Sequence, residues 1–482
     1  MAQVQLRSAA GSLPARFAAL SWCALALLTP PLAAAEAPLA DAAKARAWDQ
    51  VRTLLEDGTP VNEPQPDGAT ALHWAAYWGE PSALEALVDA GANVNARNEY
   101  GATPLWAACA TGQAAAVEQL LTAGADANQG LTSGETLLMR CAHTGATDGV
   151  RALLANGADI DATEPEKGQT ALMRAVATGH EEITSLLLEA GADFRARTRV
   201  VQQLRGTAEL STTSPQGSTY FDAGGFTALL FAARHGDLAS ARWLLDAGAP
   251  IDDAGADGNT PMVLAAMSGH QALARYLLER GADPDADGAG YTALHAAALR
   301  RLPELMADLL GRGADPNRPL VKSTPVPRWT YQHIFTLREK GATPLLLAAK
   351  YLEPDMVRML AEHGADVLRT MDDGTTPLMA AVGLGASRST TRRNRLVAPE
   401  LVSAEWADGV GVRDTVQALL DAGAEPSLDS IGRSGNTALH NAARYRFTEA
   451  AQLLIEAGAD PSIANEAGTT AEEMLLRLEG AQ

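Results

Sequence analysis

Nine histidines and three cysteines are the side chains of this chain best suited to bind a metal, relay a proton or attack a substrate. A metal site needs ligands spaced so that they converge, such as a pair one helical turn apart. The histidines stand at 73, 143, 180, 235, 270, 295, 333, 363 and 440, and no two are one turn apart. Nor is there a glycine-rich phosphate loop, a nucleophile elbow or a C-x-x-C-H haem site. The expectation is a chain that is not an enzyme and carries no metal and no cofactor.

Positive charge and aromatic rings are concentrated instead. Residues 318–340, RPLVKSTPVPRWTYQHIFTLREK, hold Arg318, Lys322, Arg328, Arg338 and Lys340 against the single acid Glu339, with Trp329, Tyr331 and Phe335 among them. The whole chain has a formal charge of −20 and is only 5% aromatic. That acidity argues against a general nucleic-acid binder, which needs cations along the phosphate track. Alanine, leucine and glycine dominate, which suits short helices packed through small side chains and not a β-sandwich.

The N-terminus reads as an export signal over 1–35. Arg7 and Arg16 precede the apolar run 17–28, and Ala33 and Ala35 form an A-x-A cleavage site. No later segment is apolar enough to span a bilayer. The mature chain is expected to be exported, in the periplasm of a Gram-negative bacterium. Cys23 leaves with the signal, so Cys109 and Cys141 remain. Both fall where alanine is usual, on the first helices of successive copies of a repeated unit. Neighbouring helix axes lie about 8–10 Å apart, so free buried thiols are expected.

The elements that position all these residues follow from repetition. Segments such as GATALHWAAYWG (68–79), GATPLWAACATG (101–112) and GQTALMRAVATG (168–179) restate one phrase, each followed by a second such as LLTAGADAN (120–128). The opening threonines stand at 70, 103, 136, 170, 227, 260, 292, 343, 376, 437 and 470. The period is 33, broken by insertions at about 196–224, 318–340 and 386–410. Threonine caps a first helix, and proline after it fits the first helical position, where no N–H is needed. The paired leucines are the buried stripe of a second helix, and the glycine of AGAD ends it. One such unit cannot bury its apolar face alone, and stacking supplies the core.

Period, order and spelling resemble the ankyrin repeat across nearly all of the chain after the signal. The resemblance implies an all-α solenoid of about twelve helix-turn-helix units with hairpin-like fingers. Residues 36–66 read as an N-terminal capping repeat, 67–466 as the repeats and 467–482 as a C-terminal cap. It also implies structural hydrogen bonds for His73, His295 and His440 of the TALH phrases, and repeat positions for His180, His270 and His363. His143, His235 and His333 are left without such an explanation.

The family presents to its partner the fourth, seventh and eighth residues after each threonine. Here they include Trp74, Tyr77, Trp78, Arg140, His143, Arg174, Phe231, Arg234, His235, Lys350, Tyr351, Arg444 and Tyr445, with no acid among those positions. Arg, Tyr and Trp dominate binding hot spots. In the enlarged finger at 318–340, Tyr331, Ile334, Phe335 and Arg338 have the spacing of a short amphipathic helix. That face either packs on the solenoid or lets Trp329, Tyr331 and Arg338 clamp a partner. The reading is a monomeric, non-catalytic scaffold that binds another protein with an acidic surface. Its alternatives are a receptor for an anionic small molecule or glycan, and a secreted host-directed effector.

Overall fold

The computed structural model describes residues 37–206, 218–322, 339–384, 410–432 and 435–479. The signal-like segment, Trp329, Tyr331, His333 and Arg338, and most of the third insertion lie outside them.

The helices form two parallel rows. One row runs Pro38–Lys44, Ala71–Trp78, Pro104–Ala110, Leu137–Thr144, Ala171–Ala177, Ala228–His235 and onward to Ala471–Glu479, each packed on the next. The second helices, from Trp48–Glu56 through Pro81–Asp89 to Thr448–Glu456, form the other row. Both rows continue past all three insertions.

Local chemistry sets each helix. Thr103, Thr136 and Thr376 accept the N–H three residues on at 3.1, 3.2 and 3.1 Å. Pro104, Pro261, Pro344 and Pro377 open their helices. Buried alanine pairs such as Ala75 and Ala76 let first helices approach closely, and Leu84, Leu87, Leu120 and Leu153 fill the seam between rows. A glycine at positive φ usually ends the first helix, as at Gly145. Arg301 and Arg446 take that left-handed place at φ 57° and 63°, at a cost of about 1–2 kcal/mol each.

Side chains tie unit to unit. In TALH units the histidine Nδ1 accepts the threonine N–H, so Nε2–H is free to donate. His73 reaches the Ala102 carbonyl at 3.0 Å, His295 that of Ala342 at 3.2 Å and His440 that of Thr469 at 3.1 Å. In the fingers, Asn128 donates to the Gly157 carbonyl at 2.9 Å and accepts the Asp159 N–H at 2.8 Å. Asn62, Asn95 and Asn317 repeat this rung.

The first insertion adds strand to an otherwise helical chain. Val201–Gly206 pairs antiparallel with Ser218–Ala223, from Val201 opposite Ala223 to Gly206 opposite Ser218. Arg197 anchors its base by donating to the carbonyls of Gly225 and Ala254 and pairing with Asp253. At the third insertion, Pro377–Met379 widens into a π-helical turn, Ala380–Leu384.

Candidate interaction surface

The first helices carry the candidate residues, and the N-terminal end is aromatic. Tyr77 meets Trp74 edge-on at 5.9 Å and Trp78 at 4.8 Å. The preceding unit covers this cluster in part. The Lys44 ammonium lies 5.0 Å from the Trp74 ring centre, and the Arg46 guanidinium lies 5.0 Å from that of Trp78. Trp74 Nε1–H donates to Gln65 at 2.8 Å, and Gln65 donates to Asp41 at 2.6 Å. Tyr77 keeps 39% of its surface exposed, so it is the member most open to a partner.

Two units on, Arg140 stacks on Trp106 at 4.9 Å and pairs with Glu135 at 2.7 Å. Trp106 is the third residue after its threonine, a position the sequence reading passed over. Glu135 and Glu164 belong to fingers, so counting first-helix positions missed them as well. Glu164 is only 5% exposed. Burial pushes its carboxyl up, but the N–H groups of Lys167, Gln169 and Glu166 and the charge of Arg174 outweigh burial and hold it low. Formal charge at this cluster is therefore balanced, with Arg140 and Arg174 facing Glu135 and Glu164. His143 is lowered by burial first, then by Arg140 and Arg174. Its imidazole is neutral at pH 7.

Cys109 and Cys141 are joined in a disulfide, which corrects the expectation of free thiols. Their Cα atoms are 4.7 Å apart. The 8–10 Å spacing holds between axes, whereas residues facing each other across a small-residue seam come nearer. The crowding is visible at Gly149, where an added Cβ would sit 3.0 Å from Cys141 Sγ.

Further along, the surface changes character. Phe231 is a correction too: it is 8% exposed and packs edge-on against the finger residue Phe226 at 5.9 Å. Arg234 lies over Phe226 at 5.8 Å and is exposed, as is His235. The His235 imidazole is lowered by burial, then by Arg234 and His270. Lys350 and Tyr351 are occupied from within. The Lys350 ammonium pairs with Glu339, the last residue but one of the 318–340 finger, and Tyr351 Oη reaches the same carboxylate at 3.4 Å. Burial would push Lys350 down, but Tyr351 and Glu339 outweigh it and hold the ammonium high. Tyr351 is pushed up to about 12 by burial first. Ala296, Leu299 and Leu347, also at partner-facing positions, are buried. At the far end, Arg444 lies 5.8 Å from the Tyr445 ring centre, and Tyr445 stands 6.2 Å from Phe447.

Among the described residues, no three His, Cys, Asp or Glu side chains gather as a metal site would require, and no helix is long and apolar enough to cross a membrane. The arrangement of paired rows, fingers and a side-chain-rich first-helix face defines a repeat scaffold for binding other proteins. Comparison with known proteins gives its family. The model of three consecutive ankyrin repeats matches residues 39–130, 105–198, 229–319 and 328–389, and the single ankyrin repeat matches 434–466. The chain belongs to the ankyrin repeat family.

Among similar proteins, human neurogenic locus notch homolog protein 4 is 39% identical over 98 residues, 20% of this chain and 4% of that protein. Mouse ankyrin repeat and SOCS box protein 16 is 31% identical over 29% of this chain and 26% of its own length. The Arabidopsis thaliana E3 ubiquitin-protein ligase KEG is 30% identical over 39% of this chain and 12% of its own. The match thus spans about a quarter or less of each relative. The human ASB11 ankyrin repeat domain aligns over 52% of this chain and 100% of its own, at 28% identity and a TM-score of 0.42.

Proposed function

We propose that this chain is an exported, non-catalytic scaffold that holds a partner protein through the first-helix surface between Trp74 and His235. The observation that carries this reading is the cluster of aromatic and cationic side chains on one face of the first helices: Trp74, Tyr77 and Trp78 meet edge-on, Arg140 lies on Trp106, and the exposed Arg234 lies over Phe226. Cationic and aromatic groups left open on one face suit a partner bearing acids. The Cys109–Cys141 bond fits an oxidising compartment and so supports export.

The test is a pull-down from periplasmic extract with the wild-type chain and with Arg140, Arg174 and Arg234 changed to Glu. The wild type should recover a protein that the variant does not. Equal recovery of the same proteins would sink the proposal. Recovery of a bound glycan or anionic metabolite without protein would favour a receptor.

A further inference from the structure

We infer that the first insertion is a self-association arm: its second strand, Ser218–Ala223, pairs antiparallel with the same strand of a second copy of this chain, in place of the monomer expected from the sequence. The inference stands apart from the partner surface above. Its first support is an open pair of strands. On one side of the hairpin the Arg199 N–H donates to the Lys167 carbonyl at 2.7 Å, and on the other the Ala256 N–H donates to the Gly224 carbonyl at 3.0 Å. These bonds join the base of the hairpin to the fingers before and after it. Beyond them, Val201–Gly206 and Ser218–Ala223 form a sheet with no third strand among the described residues. At about 3.3 Å per residue the pair is about 20 Å long. An edge strand leaves alternate N–H and C=O groups turned outward, and a hairpin alone is only marginally stable in water.

The second support is the make-up of the second strand. Tyr220 is the most exposed large hydrophobic side chain among the described residues, at 68%. Asp222 on the same face is exposed too, whereas Phe221 and Ala223 on the other face are half-buried. Thr219, Tyr220 and Phe221 are strong strand formers. The strand has no Pro, Lys or Arg, which commonly keep an edge from pairing. Val201–Gly206 contains Arg205, and Arg199 lies just before it, so its edge is the guarded one.

Symmetry then selects the occupant. A two-fold axis at Tyr220 sets that tyrosine opposite its own copy. Thr219 falls opposite Phe221 of the second copy, and Ser218 opposite its Asp222. No like charges face each other, an aromatic pair lies at the centre, and a hydroxyl meets the only carboxylate of the strand. Two hairpins joined in this way make one continuous sheet of more than the three strands that independent stability requires.

Sedimentation velocity on the purified chain tests this, in at least about 0.15 M salt to screen the repulsion between two acidic copies. Edge pairing buries little surface, so the mass should climb from one chain towards two between about 1 and 100 μM. Tyr220→Lys sets two ammonium groups face to face and should weaken association about tenfold or more, with the melting curve of the dilute protein unchanged. Cysteine variants read the register. Directly opposed residues have Cα atoms about 4.5–5.5 Å apart, within reach of a disulfide. Mild oxidation should link Tyr220→Cys chains into covalent dimers and leave Asp222→Cys chains, which the register holds apart, as monomers. Cys109 and Cys141 are bonded to each other and take no part. A single-chain mass at every concentration would overturn the inference. So would equal cross-linking of the two cysteine variants, cross-linking in neither, or association that Tyr220→Lys leaves intact.

Discussion

Lowering the pH should weaken this fold through His295, and the size of the effect can be worked out. The imidazole is fully buried. Its Nδ1 accepts the Thr292 N–H at 3.1 Å, and its Nε2–H donates to the Ala342 carbonyl at 3.2 Å, across the enlarged finger. Only the neutral ring can make both bonds, and burial lowers it from its ordinary 6.5 to about 4. The unfolded ring takes a proton near pH 6.5, and the folded one resists until about pH 4. Between those values the unfolded state holds one more proton, so stability falls as pH falls, by about 1.4 kcal/mol per unit. From pH 7 to pH 5 the loss is about 2 kcal/mol. Above pH 6.5 the contribution is complete. The assay is urea unfolding at both pH values for the wild type and for His295→Asn. The variant should be less stable at pH 7, and its fall on going to pH 5 should be about 2 kcal/mol smaller. Parallel losses in the two proteins would refute the reasoning, because other carboxylates and His73 titrate equally in both.

Four further outcomes follow from named contacts. Replacing Cys109 and Cys141 by Ala removes a link across 32 residues and should cost up to about 3.7 kcal/mol, read as a lower urea midpoint without reductant. Glu339→Ala strands the Lys350 ammonium and should cost about 3 kcal/mol; adding Lys350→Met should recover most of that loss in thermal melts. Arg446→Gly relieves a left-handed residue and should raise stability by about 0.5–1 kcal/mol, seen as a higher melting temperature. Asn128→Ala breaks both hydrogen bonds of a finger rung and should cost about 1 kcal/mol, with faster amide exchange at Asp159.

The repeat rows were legible because one short phrase encodes them. Thr103, Pro104 and the alanines after them act within a single helix, and the 33-residue period carries each copy to the next. What the sequence reading missed involves two elements at once. Phe231 occupies a partner-facing position, yet Phe226 of the preceding finger folds over it. Lys350 was read as a free cation because Glu339 belongs to an insertion with no set register. Glu135 comes from a finger to pair with Arg140, and the finger residue Glu164 is held low in part by the charge of Arg174, so the surface there carries no large net charge.

Finger rungs show that even a contact between units becomes legible when both of its partners have fixed places in the period. Asn95 with Asp126, and Asn128 with Asp159, supply a side-chain oxygen and a backbone N–H in alternation. At the first insertion the corresponding residues are Arg195 and Pro250. Arginine has no acceptor to offer, and proline has no N–H to give. That rung is chemically impossible, and Arg197 bonds to Gly225, Ala254 and Asp253 at the same junction. Removing Arg197 should therefore loosen this junction more than the loss of Asn128 loosens an ordinary one. Hydrogen exchange at Gly225 and Phe226, compared between Arg197→Ala and Asn128→Ala, measures the difference, and equal protection in both variants would contradict it.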